Sequence, residues 1–191
     1  MELWDVFENR RTIRKFSAPP SAQQLKRLLK AGSMAPSAGN KQTWFVVIVK
    51  DPATREKLGD IKRALNATWT PDTKKGHAML DIQKDVFNNS MTVMVYTYAP
   101  EPTDPNRSDM GSAWLFVENF CLAALPEGLG TQLCGYSGDA VKKVDRLLKV
   151  PKKYLQVIGI NVGVPHPDYK PLKKVYKPVS KWIFKERWPA K

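Results

Sequence analysis

Three short segments of this 191-residue chain gather side chains that grip anions or read a flat ring. The first is Arg10-Arg11-Thr12-Ile13-Arg14, with three guanidinium groups and a hydroxyl within five residues. Arginine's planar fork matches phosphate oxygens, and a threonine adds one more donor. The same run also suits an exposed helix end, or ion pairs to Asp5 and Glu8. The second is Pro36-Ser37-Ala38-Gly39-Asn40-Lys41-Gln42-Thr43-Trp44. Its amides offer both donor and acceptor, as ring carbonyls and nitrogens require. The same residues also make ordinary turns. The third is Glu127-Gly128-Leu129-Gly130-Thr131. Glycines there let backbone approach a flat ligand, or simply close a helix. The segment lacks the Gly-Lys-Ser/Thr ending of a phosphate-binding Walker loop and the three spaced glycines of a dinucleotide fingerprint.

Other catalytic arrangements are poorly supplied. The two histidines, His77 and His166, stand in no metal-ligand spacing. Cys134 has no evident base nearby and reads better as a buried apolar thiol. No Gly-x-Ser-x-Gly elbow occurs. Scarce acid–base machinery fits chemistry supplied by a bound cofactor, with the protein giving position and electrostatics.

The elements that must hold these segments follow from hydrophobic spacing. Leu3, Val6 and Phe7 share a helical face, which predicts a helix over 2–9. Ser21 with Gln24 predicts a capped helix carrying Leu25, Leu28 and Leu29 and ending near Gly32. Residues 44–49 read as a buried strand, and Asp51-Pro52 opens a helix with Leu58, Ile61 and Leu65 inward. Residues 66–90 are poorly periodic and predict a loop or lid, in which Trp69 is placed to stack on a planar substrate or to fill a core or interface. A strand over 91–98 and a Pro-rich loop over 99–106 follow. The longest helix runs from 109 to about 125, with Trp114, Val117, Cys121 and Leu125 in one row. Then come a strand or turn over 131–136, a basic helix over 139–149 and a strand over 154–162. With no internal repeat and no long linker, residues 1–191 read as one domain of α+β or mixed α/β class.

Composition is that of a soluble globular protein, with 42% hydrophobic and 26% charged residues. No apolar stretch is long enough to span a bilayer, and the start does not read as a secretory signal. The two cysteines, Cys121 and Cys134, are expected to be reduced, which suits a cytoplasmic location. The net charge of +13 is uneven: residues 141–191 hold fourteen Lys or Arg against three acids. Such an end suits phosphate-bearing partners, or is simply a solvated surface.

Taken together and in order, the motifs resemble the nitroreductase family. Arg10 to Phe16 is similar to the family's Arg-Arg-Ser-x-Arg-x-Phe signature, with Thr12 for serine. Ala35 to Trp44 is similar to Ala-Pro-Ser-x-x-Asn-x-Gln-Pro-Trp, with Thr43 for proline. Asn119 to Thr131 is similar to a helix ending in Gly-Leu-Gly-Thr. The resemblance implies an α+β fold with a mixed sheet flanked by helices, assembled as an intertwined homodimer with FMN in two interfacial sites. It implies that Arg10, Thr12 and Arg14, with Arg11 close by, hold the phosphate and ribityl chain. Pro36, Ser37, Ala38, Asn40 and Gln42 would reach the flavin from the partner subunit. Backbone at Glu127, Gly128, Leu129 and Gly130 would lie against the ring and offer a donor to its reduced form. Lys170 is the candidate for a late basic contact to the phosphate. Residues 172–191 are expected to pack on the partner through Trp182, Ile183, Phe184 and Trp188, or else on the chain's own core.

The implied activity is ping-pong transfer of a hydride from NADH or NADPH, through FMN, to an electron-poor acceptor such as a nitroaromatic or quinone. Specialised relatives of the same fold, which dehalogenate iodotyrosines, fragment flavin or oxidise azolines, are one alternative. A nucleic-acid-binding module built on the basic, aromatic C-terminal third is another, from a different class.

Overall fold

A computed structural model describes residues 1–99 and 107–187. Its elements are α1 (Leu3–Asn9), β1 (Phe16–Ala18), α2 (Ala22–Ser33), β2 (Trp44–Val49), α3 (Pro52–Ala67), α4 (Lys74–Asp85), β3 (Met91–Tyr98), α5 (Arg107–Ala124), β4 (Gly130–Cys134), α6 (Asp139–Leu147) and β5 (Tyr154–Pro165). This is an α+β fold. The Pro-rich segment expected over 99–106 falls mostly outside the described residues, as does Trp188.

β5 is the longest strand and organises the sheet. It pairs antiparallel with β3 and β4 along its length and with β1 at its end, while β2 pairs with β3. All pairs between named strands are antiparallel. The expected mixed character is confined to an isolated parallel bridge between Thr12 and Thr131. The sheet separates two apolar layers. Val93 and Val95 of β3 face Leu25 and Leu28 of α2 and Phe116, Val117 and Phe120 of α5. Met94 and Tyr96 face the opposite way, toward Leu58 of α3 and Val144 of α6. Alternate side chains of one strand thus feed both cores. β3 therefore reads as a continuous buried run rather than an alternating one.

One polar row crosses the sheet between these layers. Thr92 Oγ1 donates to Asn161 Oδ1 at 2.7 Å, and Asn161 Nδ2 donates to Gln132 Oε1 at 2.9 Å. The three residues sit opposite one another on β3, β5 and β4. Thr92 and Asn161 are fully buried, and each satisfies the other.

The local signals mostly decide the helices. Ser21 and Gln24 form the anticipated capping box on α2. Asp51 accepts from Thr54 N–H at 2.8 Å to start α3, with Pro52 in its first turn. Three expectations need correction. Residues 66–90 are not a loop: Thr73 caps α4 by accepting from Gly76 N–H at 3.0 Å. That helix was hidden because only Gly76 and Leu80 of it are buried, so it lacks an apolar stripe. On α5, Trp114 stays 41% exposed, and the buried face is Ala113, Phe116, Val117, Phe120, Cys121 and Ala124. On α1 only Val6 is buried, leaving Leu3 and Phe7 exposed beside Trp4.

α2 ends one residue past Gly32, and that glycine also lets the helix lie against α5. A Cβ there would stand 2.6 Å from Phe116 Cε2, inside a ring that is itself buried. Gly32→Val is therefore expected to cost about 1–3 kcal/mol of folding stability by overpacking, read as a lower denaturant midpoint with an unchanged slope.

Candidate functional site

The first and third motifs meet at the edge of the sheet. Beyond α1 the chain extends so that Ile13 N–H donates to Thr131 O at 3.0 Å. Thr12 stands opposite Thr131, and its carbonyl accepts from Tyr169 Oη at 3.2 Å. Contact this close needs Gly130, because a Cβ there would fall 2.3 Å from Ile13 Cγ1. The result is a small cavity of about 100 Å³ whose walls include Arg10, Arg11, Gly130 and Pro171, with Cys121 and Leu129 among its apolar lining.

The arginines divide their tasks. Arg10 follows the last turn of α1 and lines the cavity. Arg11 also borders it, but its guanidinium donates to Glu8 O and, at 3.0 Å, to Arg10 O. Those bonds satisfy carbonyls at the helix end. Arg14 lines a wider cleft of about 620 Å³, together with Lys15, His166 and Tyr169 and, across from them, Ile82 and Asn89. Residues after and within α4 thus wall Arg14's side of the site, in the region where the sequence suggested a lid. Lys170 lies between Tyr169 of the cleft and Pro171 of the cavity. It is exposed and makes no ion pair among the described residues.

The turn after α5 is tightly fixed. Gly128 adopts φ +70°. Gly128 N–H and Leu129 N–H donate to Leu125 O and Ala124 O, each at 2.9 Å, which closes the helix. Glu127 N–H has no acceptor among the described residues. Leu129 is buried, and Glu127 forms a two-pronged ion pair with Arg27.

The second motif sits elsewhere. Ala38 N–H donates to Ser112 Oγ at 3.2 Å, which anchors the loop near the start of α5. Gln42 N–H donates to Ser37 Oγ at 3.1 Å, and Gln42 Nε2 donates to Asn40 Oδ1 at 3.0 Å. Asn40 and Gln42 both hold positive φ, at 54° and 52°. Asparagine tolerates that region, but glutamine rarely adopts it, so the loop stores strain where its amides are displayed. Pro36, Ala38, Asn40 and Gln42 are exposed. Ser112 and Ala124 are twelve residues apart on α5, about 18 Å at helical rise. The structure therefore does not bring 36–42 together with 127–130 within one chain.

Outer surfaces beside the site are unusually apolar. Leu172, Val175 and Tyr176 are 77, 87 and 65% exposed, and Trp182 and Ile183 about half exposed. Among the described residues of the tail, 172–187, all but Lys174 are exposed. Trp69 is 62% exposed, which removes the core reading for that residue. Among the described residues no helix is long and apolar enough to cross a membrane.

Comparison with known proteins gives the family and the fold. The sequence profile described as the Nitroreductase family matches residues 7–164. The chain belongs to the nitroreductase family. It is 21% identical over 171 residues to an NADPH-dependent oxidoreductase of Staphylococcus saprophyticus, covering 87% of this chain and 66% of that protein. It is 25% identical over 175 residues to an iodotyrosine deiodinase of Thermotoga neapolitana, covering 88% of this chain and 91% of the relative. Its fold matches a nitroreductase with bound FMN from Desulfitobacterium hafniense with a TM-score of 0.73 and 22% identity, covering 96% of this chain and 98% of that one.

Burial pushes both thiols up from 9.0 to about 11, because the interior disfavours thiolate. The folded state therefore holds these protons more tightly than the unfolded chain. Their contribution is complete below pH 9 and is lost as pH rises through 11. Stability measured by denaturant at pH 8, 9 and 10 is expected to fall over the last step, and to fall less in a Cys121→Ala/Cys134→Ala double variant. Native protein should also resist thiol alkylation at neutral pH.

Proposed function

We propose that the chain is an FMN-dependent oxidoreductase acting as a homodimer. The observation on which this rests most is the bond from Ile13 N–H to Thr131 O, which sets an arginine-rich segment beside a glycine turn. The donor set fits the cofactor. Arg10 and Arg14, with Thr12 and Lys170 nearby, supply cations and a hydroxyl for a phosphate and a polyol, and Arg11 adds charge while closing α1. Gly128, where a Cβ would meet nothing within 4 Å, leaves room for a flat ring to approach the turn. When bound, FMN would supply the redox chemistry, hydride transfer between NADH or NADPH and an electron-poor acceptor such as a nitroaromatic or quinone. The protein's part is to hold the phosphate, present a backbone donor from Glu127 and keep the ring's exposed face accessible.

Separation of 36–42 from 127–130 supports dimerisation, since Pro36, Ser37, Ala38, Asn40 and Gln42 reach such a ring only from a second subunit. Exposed Leu3, Trp4, Leu172 and Trp182 give that subunit apolar surface to cover. Residues 172–191 are proposed to pack on the partner. The reduced, buried cysteines fit a cytoplasmic protein. Likeness to the Thermotoga neapolitana deiodinase favours, as a second reading, a reductive dehalogenase of the same fold.

Purified protein is expected to show a flavin spectrum that anaerobic NADPH or NADH bleaches, and light scattering is expected to give a dimer. A colourless protein that takes up no FMN and binds nucleic acid with steep salt dependence would overturn the proposal. Arg10→Ala/Arg14→Ala is expected to weaken FMN retention by at least about tenfold through loss of charge-assisted bonds. Unchanged retention would remove both arginines from the phosphate site. Halotyrosine turnover exceeding that of nitroaromatics would select the dehalogenase reading.

A further inference from the structure

Glu127 is held at every polar point except one. Arg27 Nε donates to one carboxylate oxygen at 2.6 Å, and Arg27 Nη2 donates to the other. Gln24 Nε2 donates to Glu127 O at 2.9 Å. Gln24 is itself immobilised: its Oε1 accepts from Ser21 N–H at 2.9 Å, and its own N–H donates to Ser21 Oγ at 3.2 Å. The first turns of α2 therefore reach across a hundred residues of sequence to clamp the turn after α5. Within that turn the N–H groups of Gly128 and Leu129 are already committed to closing the helix. Glu127 N–H is the donor that no protein group takes among the described residues.

We infer that Arg27 and Gln24 are positioning residues that orient the Glu127 peptide toward the bound cofactor and so set the balance between its oxidised and reduced forms. The inference rests on the proposed FMN site. Neither residue belongs to the three motifs, and neither lines the cavity or the cleft. Their effect passes through Glu127. A fixed donor beside a ring favours its electron-rich form without reorganisation. A turn free to swing loses part of that preference. Arg27 is 47% and Glu127 22% exposed, so the pair is open to water and its direct effect on folding stability is small. That contrast separates a positioning role from a structural one.

The test uses the full-length protein reconstituted with FMN. Binding of oxidised FMN is titrated, and the two-electron midpoint potential of the bound cofactor is measured by spectroelectrochemistry, without any turnover. Arg27→Ala and Gln24→Ala are each expected to bind oxidised FMN nearly as wild type. The preference for the reduced form should fall about tenfold, a potential about 30 mV lower. Arg27→Glu should do at least as much, and the charge-swapped pair Arg27→Glu/Glu127→Arg should recover most of the loss. Wild-type potentials in variants that bind FMN would overturn the inference while leaving the cofactor site intact, even if their melting temperatures drop. A wild-type chain that takes up no FMN would overturn the cofactor site and the inference together.

Discussion

A main-chain hydrogen bond from Ile13 N–H to Thr131 O begins the tie between the N-terminal segment and the edge of the sheet, which His166 N–H donating to Lys15 O at 3.0 Å and the β1–β5 pairing continue. At the Ile13–Thr131 contact Arg10 borders a cavity walled by the start of β4. The bond is possible because position 130 has no side chain, so Ile13 can lie against the backbone. Ile13 then joins the apolar layer that includes Phe16 and Leu58. A backbone contact that carries no charge thus decides where three charged side chains act.

The site is built in layers around this contact. α5 is the common reference. Its first turns anchor the 36–42 loop through Ser112, and its last turn leads into the Glu127–Leu129 turn. A rigid helix keeps these two displays a fixed distance apart, and Gly32 seats α2 against it closely enough for Gln24 and Arg27 to reach the far end. Apolar surface left on α1 and on the tail continues outward from the same region. The chemistry, the packing of two helices and the surface available to a second copy therefore share one scaffold.

Much of this was legible in the residue order. Capping signals at Ser21 and Asp51 and the largely apolar runs of β2, β3 and β5 are local, and each was recovered by its spacing. α4 was not, because its stability comes from a cap and from contacts of Leu80 rather than from an apolar stripe. β1 is three residues long and exists only through pairing with the end of β5. The buried face of α5 is displaced from the row containing Trp114, because what covers that helix, α2 and the sheet, is invisible to periodicity alone. In the site, residue types announced the arginine and glycine segments, and the resemblance supplied their roles. The Arg27–Glu127 pair carried no sequence signal, since nothing marks two charges a hundred residues apart as neighbours. The committed state of Arg11 was equally hidden, because a guanidinium bonded to carbonyls looks the same in sequence as one free to bind phosphate.

The polar row Thr92–Asn161–Gln132 has a consequence for how the chain finds its fold. Its neighbours along β3 and β5 are aliphatic and largely interchangeable, so hydrophobic packing alone discriminates weakly between alignments of these strands. Sliding β5 by one residue would turn the Asn161 amide to the other face and leave Thr92 opposite a side chain unable to accept its proton. The row therefore works as a proofreading mark. Among alternative sheets of similar apolar content, only one alignment leaves no buried amide or hydroxyl of this row wanting. That alignment is also the one that carries Thr131 to the level of Ile13.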